Sequence, residues 1–153
     1  MRDLVEELVA VHGGGQEYFS ALDLRVREDK QVKLALEQMA YALFGPVWFT
    51  VSGAFGQSFQ RQWKGRPVLW LDGSLRNVER IPLLKPEVVQ GKHFVFLDDS
   101  FFRGRTYRVV RRCIEESGGR VLGAVVAYDG SLEPHKDVYS LYRWRDRVGG
   151  SRS

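Results

Sequence analysis

The chain has 153 residues, 44% of them hydrophobic and 27% charged, which suits one domain with a real core. Its single cysteine, Cys113, excludes an intrachain disulfide, and no apolar run is long enough to span a bilayer. The net charge of +4 favours anionic ligands, and its surplus gathers at Arg103, Arg105, Arg108, Arg111, Arg112 and in the tail from Arg143 to Arg152.

In chain order, Asp3 to Val11 reads as a short helix, broken by Gly13-Gly14-Gly15. A second helix is predicted from Asp29 to Leu43, with Val32, Ala35, Leu36, Met39, Ala40 and Leu43 on its apolar face, ended by Gly45-Pro46. Val47 to Ser52 reads as a strand, Gly53 to Gly56 as a turn, and the residues through Phe59 and Trp63 as a short helix. Pro67 to Leu71 is the next strand. Residues 72 to 92 lack periodicity, contain Pro82 and Pro86, and read as a long loop.

His93 to Leu97 then forms a strand and Tyr107 to Ser117 a helix, with Val109, Val110, Cys113 and Ile114 facing inward and Gly118-Gly119 as the cap. Cys113 on that face reads as a small core residue. Val121 to Ala127 is a buried strand and Val138 to Tyr142 a last one. Strand and helix alternate, so the expected class is α/β with a mostly parallel sheet flanked by helices. Residues 1–148 form the expected single domain, and residues 149–153 a loose tail. The absence of a signal peptide leads to the expectation of a soluble, cytoplasmic protein.

Two segments carry chemistry. In the first, Phe94-Val95-Phe96-Leu97 suits a buried parallel strand, closed by Asp98 and Asp99. A short loop containing Gly104 leads into the helix near Thr106. Carboxylates at a strand's carboxyl end accept from sugar hydroxyls, and the following helix N-terminus receives an anion. An acidic pair alone repels phosphate, so the ligand should carry both a polyol and a phosphate. A phosphorylated ribose meets that requirement. In the second, Ser52-Gly53-Ala54-Phe55-Gly56 joins a strand to a helix, and its glycines let the backbone approach an anion closely.

The first segment resembles the phosphoribosyl-diphosphate motif of the type I phosphoribosyltransferases, in which hydrophobic residues precede two acids and a Thr-Gly-x-Thr type loop follows. The resemblance implies that Asp98 and Asp99 hold the ribose hydroxyls and that Arg103, Gly104, Arg105 and Thr106 form the 5′-phosphate loop. The second segment resembles the diphosphate loop of the orotate enzymes in that family. Gly15 to Arg25 resembles the stretch that covers the base there, although by itself Asp23-Leu24-Arg25 would read as a surface ion pair. The resemblance spans about residues 15 to 131. It implies transfer of 5-phosphoribose from phosphoribosyl diphosphate to a nitrogenous base, orotate-like in kind, with Mg²⁺ as the metal and a homodimer as a possible assembly.

The chain departs from the family pattern in several places. Arg103 and Arg105 stand where small residues are usual, and each guanidinium either adds a phosphate contact or fills the pocket itself. The family's mobile loop carries an Arg-Lys pair and a further Lys, whereas here the cations available for the departing diphosphate are Arg76, Arg80 and Lys85. Phe102 occupies the place where purine-using relatives put an acidic base, which argues against a purine. The alternative is a catalytically inactive protein of the same fold that binds a nucleotide or a protein partner. Nucleic acid, through the arginine-rich tail, is a third reading, unsupported by any nucleic-acid-binding motif. His12, His93 and His135 are too scattered for a metal cluster, and the four tryptophans read as core or interface.

Overall fold

The computed structural model describes residues 29–62, 68–71 and 84–144. The expected N-terminal helix, the 15–25 segment, Trp63, Arg76, Arg80 and the tail lie outside the described residues. In order, the elements are α1 (Lys30–Phe44), β1 (Trp48–Ser52), α2 (Gly53–Gln62), β2 (Leu69–Leu71), α3 (Pro86–Val89), β3 (His93–Phe101), α4 (Arg105–Glu116), β4 (Arg120–Asp129) and β5 (Val138–Arg143).

The five strands form one sheet in the order β2-β1-β3-β4-β5, and every neighbouring pair is parallel. The α/β class expected from the alternation of elements is therefore what forms. Helices cover both faces, as strands with long apolar runs require. On one face Val32, Leu36 and Ala40 of α1 and Phe55 and Phe59 of α2 pack against Phe49, Val51, Val95, Leu97 and Val125. On the other, Tyr107, Val110, Cys113 and Ile114 of α4 and Val89 of α3 pack against Phe94, Phe96, Val121, Ala124 and Val126. Burial raises the pKa of the Cys113 thiol, with Glu116 adding to the effect, so it stays protonated as a core residue.

Several elements differ from the sequence reading. Strand β3 does not stop at Leu97. Asp98 to Phe101 continue in the strand because β4 supplies the pairing, with Ser100 opposite Tyr128 and Phe101 opposite Asp129. Nor is there a separate turn from Gly53 to Gly56, because α2 starts at Gly53 itself. Pro86 starts a one-turn helix within what reads as a loop. On α1, Leu43 is exposed while Lys33 is buried, its Nζ donating to Ser58 Oγ of α2 at 2.7 Å. No helix among the described residues is long and apolar enough to cross a membrane.

Candidate functional site

The chain leaves β1 toward one side of the sheet and returns on the other side through β3, so the strand order reverses between β1 and β3. Open α/β sheets bind ligands outside the carboxyl ends of the strands at such a reversal. Thr50 pairs with Phe96, and continuing that register brings Ser52 level with Asp98. The two segments singled out in the sequence therefore meet at one crevice.

On the β1 side, Gly53 has φ of 65°, a left-handed conformation that lets α2 begin directly after the strand. Its carbonyl accepts from Trp70 Nε1 at 3.1 Å. Gly56 has a packing role: a Cβ there would lie 3.0 Å from the Trp70 ring and 3.1 Å from the Val51 backbone. Ser52 is buried, and its Oγ has no hydrogen-bond partner among the described residues. A buried polar atom left so is an unusual expense in a folded chain and marks a place where a ligand group would be welcome.

On the β3 side, Asp98 and Asp99 are consecutive strand residues, so their side chains leave opposite faces. Asp98 Oδ1 accepts from the Asp99 backbone N–H at 2.9 Å, and Asp99 Oδ1 from the Ser100 hydroxyl at 3.2 Å. Asp99 is buried and Asp98 half-buried. This differs from an acidic pair side by side in a turn.

Two exposed residues, Phe102 and Arg103, then lead to Gly104, the N-cap of α4, whose φ of 73° again needs glycine. A Cβ at Gly104 would stand 2.7 Å from the Phe101 ring. Gly104 offers no side-chain cap, and the first turn of α4 holds no acid. Arg105 opens the helix, exposed, followed by half-buried Thr106. Arg108 donates to the Arg103 carbonyl at 2.8 Å and braces the loop. That brace was missed in the sequence, where its one trace is an arginine four residues after a loop glycine.

Lys85 is not brought to this crevice. The neighbouring Leu84 N–H donates to Ser117 Oγ at 2.8 Å, at the far end of α4, and α3 runs from there to the start of β3. Lys85 thus stands at the amino edge of the sheet, opposite the site, because Pro86 begins a helix that packs Val89 under that edge. Of the three cations expected at the leaving group, Arg76 and Arg80 lie outside the described residues.

The fold is shared with solved structures. An orotate phosphoribosyltransferase of Mycobacterium tuberculosis in complex with 5-phospho-α-D-ribosyl 1-diphosphate superposes with a TM-score of 0.55 at 15% identity, covering 94% of this chain and 89% of that one. The chain has the type I phosphoribosyltransferase fold. An adenine phosphoribosyltransferase of Thermoanaerobacter pseudethanolicus matches with a TM-score of 0.53 at 18% identity, covering 78% of this chain and 84% of that one. The Mycobacterium tuberculosis orotate enzyme in complex with inorganic phosphate gives 0.53 at 16% identity, with 81% and 77% covered. No protein-family model matches the chain, and no curated protein matches its sequence.

Magnesium suits the donor set in one way only. Among the described residues no group of three or more His, Cys, Asp and Glu is gathered to cage an ion. Asp98 and Asp99 offer hard carboxylate oxygens, which fits an ion held mainly by waters and by a diphosphate.

Proposed function

We propose that this chain transfers 5-phosphoribose from phosphoribosyl diphosphate to a nitrogenous base, orotate-like in kind, and releases diphosphate. One observation carries the reading: an uncapped helix N-terminus, at the strand-order reversal of a phosphoribosyltransferase fold, has exposed Arg103, Arg105 and Arg108 in and beside its first turn and no acid there. Free N–H groups and guanidiniums at one helix end suit a dianionic phosphate.

In this reading residues 103–106 hold the 5′-phosphate, and Asp98 and Asp99 accept from the ribose hydroxyls. The first-turn N–H groups of α2 and Ser52 Oγ face the diphosphate. Asp98 and Asp99 would hold Mg²⁺ through water, and the ion would supply charge neutralisation for the leaving group. The C1–O bond to diphosphate breaks as the base nitrogen bonds to C1, so positive charge builds on the sugar and negative charge on the leaving oxygens. Positioning and electrostatics suffice for such a step.

The position of Lys85 favours a second reading. With that lysine at the opposite edge, the loop's known cations reduce to Arg76 and Arg80, which suits a protein that binds phosphoribosyl ligands without turning them over. Calorimetry with ribose 5-phosphate, together with a diphosphate-release assay in Mg²⁺ and a panel of bases, separates the two. Binding with release supports the enzyme, and binding without release leaves the binding protein. Replacing both Asp98 and Asp99 by Asn should abolish ribose 5-phosphate binding. Unchanged affinity in that variant would remove both readings.

A further inference from the structure

The sheet ends in unlike edges. At one edge β2 has three residues, whereas β5 runs for six along the other. Edge strands are ordinarily blunted by charges, proline or a bulge, because their unpaired backbone groups recruit other strands. From Val138 to Tyr142 β5 has none of these. The run is Val-Tyr-Ser-Leu-Tyr, paired with β4 at a constant register.

That pairing fixes where the backbone groups of β5 point. The Asp137 carbonyl accepts from the Ala124 N–H at 2.9 Å, so the odd-numbered residues aim their backbone groups at β4. Val138, Ser140 and Tyr142 alternate with them and aim theirs at the outer edge, where no further strand lies among the described residues. The Val138 N–H turns back to the His135 carbonyl at 3.4 Å, a long bond.

The side chains are suited to a partner of one kind. Ser140 is half-buried, and its Oγ is shut from solvent with no hydrogen-bond partner among the described residues. Tyr139 stays 39% exposed although its ring meets Phe44 of α1 edge-on at 5.7 Å. Half-buried Asp137 and exposed Arg143, of opposite charge, stand at equal distances along the chain on either side of Ser140. An antiparallel strand of the same sequence, centred on Ser140, answers all of this at once. Ser140 faces Ser140 of the second copy, hydroxyl to hydroxyl. Val138 faces Tyr142, Tyr139 faces Leu141 and Arg143 faces Asp137, each contact occurring twice by symmetry. The outward backbone groups of Val138, Ser140 and Tyr142 then fall in the hydrogen-bonded pairs of the new ladder. Centring on Tyr139 or Leu141 instead parts the serines from each other and Arg143 from Asp137.

We propose that β5 is an interface for a second copy of this chain, paired antiparallel about Ser140 to give one continuous sheet of ten strands. The interface stands apart from the crevice between β1 and β3, with β4 in between, and does not depend on the phosphoribosyl reading.

Sedimentation equilibrium on the full chain should show a reversible dimer. Ser140→Pro deletes the central N–H, which points away from β4, so the monomer should keep its far-UV circular dichroism while the dissociation constant rises about tenfold or more. Cysteine pairing reads the register without relying on that variant. Tyr139→Cys and Leu141→Cys chains, mixed and oxidised, should link to each other, because facing residues of a non-hydrogen-bonded pair bring their Cα atoms to about 4.5 Å. Either variant oxidised alone should link much less, since its two cysteines lie diagonally. Cys113 is buried and does not compete. A monomeric parent would overturn the interface. So would a dimer that a folded Ser140→Pro leaves intact, or one whose mixed cysteines fail to link.

Discussion

Helices α1 and α4 begin in opposite ways. At α1, Asp29 caps the helix, its Oδ1 accepting from the N–H groups of Gln31 at 2.8 Å and Val32 at 3.4 Å. At α4, the cap is a left-handed glycine without a side chain, and arginines crowd the positive end of the dipole. The acids of α4 lie at its other end, where Arg111 pairs with Glu115 and Arg112 with Glu116, each arginine N-terminal to its partner, the less favourable order. The same chain can build a well-capped helix and does so away from the crevice. At α4 the missing side-chain cap and the gathered arginines fall together beside the crevice, and a binding role explains that combination.

Four expected outcomes break or sharpen this contrast. Arg105→Glu should remove a charge-assisted contact of roughly 1.5–3 kcal/mol and so weaken ribose 5-phosphate at least tenfold in calorimetry. Gly104→Ala places a Cβ 2.7 Å from the Phe101 ring at a φ of 73°, and denaturant unfolding should register a loss of about 1–3 kcal/mol, together with weaker phosphate binding. Asp29→Ala should cost about 1 kcal/mol in the same unfolding experiment and leave ligand affinity untouched. Smallest, and opposite in sign, Arg105→Glu should stabilise the unliganded chain by about 0.3–1 kcal/mol at low salt. A variant that gains stability while losing its ligand is the signature sought. Loss of both would show Arg105 to be structural.

Legibility in the sequence followed the range of the forces involved. The buried strand at Phe94–Leu97 and the apolar face of α1 were readable because periodicity and burial are local records. The continuation of β3 through two acids was not, because its pairing partners, Tyr128 and Asp129, lie about thirty residues away and no local pattern announces them. The same holds for the burial of Lys33, which depends on Ser58 of another helix lying beside it. Of the candidate site, the meeting of Ser52–Gly56 with residues 98–106 was legible from motif order. The position of Lys85 was not, since a stretch without periodicity says nothing of its path. The packing of the Phe102 ring over Gly130 was equally hidden, because it is a contact between two strand ends rather than a motif.

The hydrogen bond from Trp70 to the Gly53 carbonyl ties an indole of β2 to the start of α2, which would receive a diphosphate. Indole emission responds to the polarity and hydrogen bonding around its ring, so an anion drawing on the first N–H groups of α2 changes the surroundings of a built-in fluorophore. Occupancy of that half of the crevice thus has an optical readout of its own, one that needs no label, no turnover and no knowledge of the acceptor base.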